Sequence, residues 1–202
     1  MKKIIFAVLV FFAWKHFYYV ESTSEVGPGA LSSGIPYTTA VQEHVFRNGD
    51  FSYYPRVNYE AEARVLAASR YYFDRSASIS PLAILVGWEE MSDETFINQF
   101  DFSHHERSYD WDSDSMPLPA DIVQTKIANL HIIPANEGVK AVLNKIRIGD
   151  LVEIKGFLVD VKNSSGWRWR SSHKNNLASN GDNNEIIYTK SLTIINPYER
   201  LY

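Results

Sequence analysis

The chain has 202 residues and a mass of 23.1 kDa, room for one domain with a tail. Hydrophobic residues make up 45% and aromatics 14%, a composition that excludes a disordered chain. The net charge of −4 excludes a general field for nucleic acid or an anionic membrane, and the lack of cysteine excludes disulfides, thiolate nucleophiles and cysteine-held zinc or lipid.

Lys2 and Lys3 precede an uncharged apolar run over residues 4–14, which Lys15 and His16 interrupt. A basic start followed by a short apolar core is the pattern of an export signal. The run is too short for about 30 Å of hydrocarbon. If Lys15 snorkels, it extends to Val20 and reaches the lower limit for a tilted span. Residues 1–20 are therefore expected to be a signal anchor or a signal peptide. The rest of the chain would lie on the periplasmic side, held in the inner membrane through residues 4–20 or secreted after cleavage. Val20-Glu21-Ser22 is a poor cleavage site, which favours the anchor. Residues 21–36, rich in Ser, Gly and Pro, read as a flexible tether, and residues 37–202 as a single β-rich extracytoplasmic domain.

Residues 37–59 are aromatic without a clean period and read as irregular structure. A first strand is predicted over 61–74, with Ala61, Ala63, Val65, Ala67, Tyr71 and Phe73 on one face. Ser80-Pro81 reads as the cap and first position of a short helix that runs to Leu85 and stops near Gly87. A second turn starts at Ser92-Asp93-Glu94, a strand follows within 96–104, and the acidic stretch 106–119 reads as a loop. The run 122–133 is a strand ended by Pro134. The next helix is capped by Asn136, carries the stripe Val139, Val142, Leu143 and Ile146, and is stopped by Gly149. A strand over 150–162 changes apolar phase at Gly156, the signature of a β-bulge. Asn163-Ser164-Ser165-Gly166 turns into a strand over 167–172, and a polar loop leads to a last strand over 186–195. This order predicts a β-rich α+β fold. It fits an OB-like five-stranded barrel with one helix between strands 3 and 4, the alternative being an open antiparallel α+β sheet.

Several motifs support a resemblance. They are Arg70-Tyr71-Tyr72-Phe73-Asp74, Ser80-Pro81, Gly87-Trp88 with Met91-Ser92-Asp93, Asn129-Leu130-His131-Ile132-Ile133-Pro134-Ala135, Arg147-Ile148-Gly149-Asp150 with Gly156, and Trp169-Arg170-Ser171-Ser172. From about Gly27 to its end, the chain resembles a family of uncharacterised bacterial proteins with an N-terminal membrane segment and an exported β-rich domain. The resemblance implies an envelope location and no known activity. Proteins of that kind continue after the paired serines with Leu-Thr-Arg and reach a Gly-Ala-Cys-Glu stretch. Here the chain reads His173-Lys174-Asn175-Asn176, and only Glu185 remains of the later stretch.

His104, His105, Glu106, Asp110, Asp112, Asp114 and Asp121 are competent to bind a metal. Asp110, Asp112, Asp114 and Asp121 match positions of a calcium loop, but Ser115 replaces its glycine and Asp121 its bidentate glutamate, so a solvated acidic loop is the expectation. His131 and Asn129 share one face of an apolar strand, as a hydrogen-bonded structural histidine or a general base would. Ser171, Ser172 and Asp150 are the partners such a base would need. In Trp167-Arg168-Trp169-Arg170 the tryptophans share one strand face and the arginines the other, a pairing of stacking and phosphate-binding groups. Trp88 is a further binding candidate, or core. No cofactor is expected. The leading expectation is a non-catalytic, membrane-tethered envelope protein whose domain binds a protein or a cell-envelope component. The alternatives are a hydrolase-type enzyme centred on His131 and an exported single-stranded nucleic-acid-binding module, the latter disfavoured by the acidic charge.

Overall fold

The computed structural model describes residues 2–18, 22–23, 26–172 and 184–200. An N-terminal helix α1 (Lys2–Tyr18) precedes the strands β1 (Tyr37–Ala40), β2 (Phe46–Asn48), β3 (Phe51–Arg70) and β4 (Leu82–Gly87). A one-turn helix α2 (Glu94–Ile97) leads to the hairpin β5 (Asp101–His105) and β6 (Ser108–Asp112), then to α3 (Ala120–Thr125) and β7 (Ile127–Pro134). The chain ends with α4 (Glu137–Leu143), β8 (Leu151–Asn163), β9 (Arg168–Trp169) and β10 (Asn184–Ile195).

Eight of these strands form one mixed sheet, and five of them close a ring: β3 pairs β4, β4 pairs β7, β7 pairs β10, β10 pairs β8, and β8 returns to β3. All five pairings are antiparallel except β7 with β10. An all-antiparallel open sheet is thereby excluded. Every strand of the ring sends alternate side chains to one interior cluster. β3 contributes Ala61, Ala63 and Val65, β4 Leu82, Ile84 and Val86, β7 Ala128, Leu130 and Ile132, β8 Val152, Ile154 and Leu158, and β10 Ile187 and Leu192. The stripe Val139, Leu143 and Ile146 of the α4 segment packs onto the same cluster, each side chain gaining about 1.5–3 kcal/mol from burial. Asn136 caps α4 by accepting from the Val139 amide at 3.0 Å.

The outer faces of the ring are covered as well. The β5–β6 hairpin lays Phe102, Tyr109 and Trp111 over Leu66, Leu85 and Ile127. Farther round, Tyr53, Phe157, Val159, Val161 and Ile186 pack with Trp167, Trp169 and Tyr188. This double covering explains why the expected helix over residues 81–85 is strand β4. Its six residues are all buried, from inside and outside alike, so the run carries no alternation. It also revises the reading of Gly156, which marks no phase change. Val152, Ile154 and Leu158 keep one phase, and both faces turn apolar because both are covered. Gly156 is needed for close approach, since a Cβ there would lie 2.1 Å from the Tyr188 carbonyl oxygen. The extra residues of the two irregularities belong to the partner strands, at Arg56 and Lys190.

Other elements depart from expectation where pairing overrides local pattern. Residues 37–59 supply β1, β2 and the first half of β3, and the stretch 106–119 supplies β6. Residues 120–125 form α3 rather than the start of β7. β3 stops at Arg70, and a register shift around Leu66 moves Ala67 to the outer cluster, so Tyr71 and Phe73 do not continue the inner face. Gly149, with φ +93°, turns the chain into β8, well past the end of α4. The segment expected to be a loose tether is bonded to the domain where it is described. The Val26 and Gly27 amides donate to the Glu94 carboxylate at 2.7 and 2.6 Å, and the Ser32 hydroxyl donates to the Glu62 carbonyl. No helix among the described residues is long and apolar enough to cross a membrane.

Candidate functional site

β7 presents Asn129 and His131 outward, where three elements meet over them: the hairpin turn, the β3–β4 connection and β9. Asn129 is the node. Its amide donates to the Arg107 carbonyl (3.1 Å) and to Asn184 Oδ1 (2.7 Å), which leaves its own oxygen to accept from His104 Nε2 at 3.0 Å. His104 therefore carries its proton on Nε2, and burial holds its pKa below the ordinary value, with His105 adding to the effect against the Asn129 bond. Two strands and a hairpin are tied together by one side chain.

Arg107, at the hairpin turn, covers this cluster. Its guanidinium forms a two-pronged ion pair with Asp74 (2.9–3.1 Å) and donates to the Ser80 carbonyl. It also lies 4.0 Å from the Tyr71 ring centroid and 5.1 Å from that of Trp169. The His131 ring lies beneath, 5.0 Å from Trp169. The His131 pKa is lowered to about 3, first by burial and then by the Arg107 guanidinium and His104, with Asp74 opposing them. Its Nδ1 has no hydrogen-bond partner among the described residues.

Of the partners that a general base would need, Ser171 and Asp150 are committed elsewhere. The Ser171 hydroxyl donates to Glu185 and accepts from the Ile186 amide at 3.0 Å. Asp150 accepts from the Arg147 amide at 2.8 Å, closing the turn after α4. Ser103, His105 and Asp110 do meet on the exposed face of the hairpin, at 3.3 and 3.5 Å. Both contacts use the same ring nitrogen, Nε2, so the imidazole cannot relay a proton between them. Asp110, Asp112, Asp114 and Asp121 are exposed and spread over β6, the following turn and α3. Among the described residues, no group of three metal-competent side chains converges.

Trp88 belongs to the interior cluster and is buried, so it offers no face to a ligand. Trp167 and Trp169 lie half-buried on one side of the β9 segment and Arg168 and Arg170 exposed on the other, as strand alternation requires. Trp169 is already in contact with His131, Trp167 and Arg107. The loop over residues 173–183 lies outside the described residues.

The arginine side of β9 leads to a groove of about 390 Å³ lined by residues of β3, β8 and the β1–β2 connection, among them His44, Tyr54, Arg56, Asp160, Lys162 and Arg170. Here β3 and β8 alternate Tyr53, Val159 and Val161, which pack in the outer cluster, with Tyr54, Asp160 and Lys162, which line the groove. Apart from Arg170, the groove residues carry no motif and were invisible in the sequence. The remaining signal was the local density of tyrosine and basic residues.

A larger cleft, about 650 Å³, is lined by Thr23, Phe100, Phe102, Arg64 and Glu94. Its two charges pair with each other, their side chains 4% and 5% exposed. Burial raises the Glu94 pKa, but Arg64 and the amides of Val26 and Gly27 outweigh it and leave the group below its ordinary value.

Comparison of the chain with protein-family models, with curated proteins and with solved structures gives no match.

Proposed function

We propose that the protein is a non-catalytic binding module: an OB-like five-stranded barrel, attached at the cell envelope by its N-terminal segment, that engages a protein or envelope component through the groove beside β9. Support for the barrel comes from the order of the ring. Numbered along the chain, its strands follow one another as first, second, third, fifth and fourth, with the third parallel to the fifth. Helix α4 falls between the third and fourth.

One contrast carries the functional reading. The imidazole where chemistry would be run is sealed by Arg107 and Trp169, and a pKa of about 3 makes it too weak a base to take a proton from a hydroxyl near neutral pH. The groove, in contrast, is open and lined by cations and an aromatic ring. This disfavours a hydrolase centred on His131. Attachment at the envelope is supported by the basic-then-apolar start of the chain, by the exposed Ile4, Phe6, Leu9 and Phe12 of α1, and by the motif resemblance.

The test places a photo-cross-linking residue in full-length protein, in its native membrane fraction, at Val45 in the groove wall or at Asp121 on α3. A discrete envelope species captured from position 45 and not from 121 is the expected result. Capture of the same species from both positions, or none from 45, overturns the reading.

A further inference from the structure

We infer that the groove beside β9 is a phosphate-binding site that takes the head of a phosphorylated envelope component. The inference deepens the binding-module reading and rests on it. Its basis is a local reversal of charge. The chain as a whole carries −4, yet the groove gathers Arg56, Lys162 and Arg170. Its two acids are already matched: Glu43 pairs with Lys190 at 2.9 Å, and Asp160 pairs with Arg56. Lys162 and Arg170 have no anionic partner at ion-pair distance among the described residues. Two unmatched cations lining one concavity repel each other, and an anion between them removes that cost.

The groups are also held in place before any ligand arrives. The Lys162 ammonium lies 4.4 Å from the centroid of the Tyr54 ring, a cation–π contact that fixes a side chain otherwise rich in rotamers. Arg56, the extra residue of the β3 irregularity, donates to Asp160 Oδ2 through both Nε and Nη2. The other oxygen of Asp160 accepts from the Ser171 amide at 3.3 Å, which ties down the chain just after Arg170. Asp160 thus serves the groove by positioning both arginines rather than by meeting the ligand. Preorganisation of this kind reduces the ordering cost of binding.

The ligand class follows from count and shape. Two unmatched positive charges suit a phosphate monoester dianion, whereas a single carboxylate would leave one of them unmatched. A guanidinium fork and a point-charge ammonium are both regular phosphate ligands. The volume of about 390 Å³ lies within the range of small-molecule sites and admits more than a bare ion.

The experiment titrates full-length protein with inorganic phosphate at constant ionic strength, with acetate as control, by calorimetry. Saturable binding of phosphate and none of acetate is expected. Arg170→Gln and Lys162→Gln should each weaken it about tenfold, with the urea midpoint of Arg170→Gln unchanged because that side chain is exposed. Equal response to phosphate and acetate, or unchanged affinity in both variants, overturns the inference. Glycerol 3-phosphate and glycerophosphoglycerol test the charge count. Preference for the monoester supports the inference, and equal affinity for the singly charged diester overturns it, because two unmatched cations call for a dianion. An oligothymidylate that binds far more tightly than either, and is lost in Arg170→Gln, overturns the inference in favour of single-stranded nucleic acid. If phosphate fails while position 45 still cross-links a partner, the phosphate inference falls and the binding module stands. If both fail, both are wrong.

Discussion

Replacing His131 tests the conclusion that its imidazole is a neutral, structural group. The ordinary value of 6.5 applies to the unfolded chain, and the folded value is about 3. A depressed folded pKa means that the stabilisation is complete above 6.5 and is withdrawn as the pH falls toward 3, because the unfolded chain takes up the proton first. At pH 5 the solution is about 1.5 pH units below 6.5, and at about 1.36 kcal/mol per pH unit the loss is about 2 kcal/mol. Nearly the whole loss is on the unfolded side, since the folded imidazole is still neutral at that pH. Other groups also destabilise the fold in acid, His104 among them with the same sign, so the comparison must be with a variant. His131→Gln keeps a polar side chain of similar size without a titrating proton. Urea unfolding of both proteins at pH 7, 6 and 5 should show the wild type losing about 2 kcal/mol more than the variant between pH 7 and 5. An NMR titration should find no protonation of His131 over the same range. Equal losses in the two proteins, or a His131 resonance titrating near 6.5, would refute the buried neutral imidazole and return the residue to the list of catalytic candidates.

Three further outcomes follow from the geometry. Glu94→Gln leaves the Arg64 guanidinium buried without its counter-charge and should cost about 3–5 kcal/mol by chemical denaturation, with faster amide exchange at Val26 and Gly27. Because the Glu94 pKa is held below 4.5, the wild-type advantage should be full above 4.5 and shrink below it; an advantage that does not change with pH would contradict the pair. Gly156→Ala drives a methyl group into the Tyr188 carbonyl, 2.1 Å from the ideal Cβ position, and should destabilise by about 3 kcal/mol; a midpoint shift below the error of the measurement would mean that β8 and β10 are not so close. Asn136→Ala removes the α4 cap and should cost about 1 kcal/mol, whereas Asn136→Asp should retain most of it.

How much of the molecule was legible depended on whether an element carries its own signal. α4 did, because its cap and stripe lie within one short segment, and so did β10, where apolar residues recur over residues 186–195. β4 did not. A strand covered on both sides loses its period of two, and Ser80-Pro81 before an apolar run imitates a helix start. β1, β2 and β6 are three to five residues long and owe their form to pairing with β3 or β5. Their sequences are too brief to declare it.

The candidate site divided in the same way. His131 and Asn129 stood out as polar residues on an apolar run, and the alternation of tryptophan and arginine in residues 167–170 survived into the structure. What His131 is depends on Arg107, Trp169 and His104, none of them a neighbour along the chain. The groove is a product of the ring's outline, formed by β3, β8 and the β1–β2 connection, and no linear pattern contains it. Local pattern was enough for a β-rich domain, the capped helix and the short list of polar residues on strands, because alternation and capping act over a few residues. Closure of the ring decided which faces are buried, which charges find partners and which histidine loses its basicity. Burial and electrostatic environment are sums over contacts between distant segments.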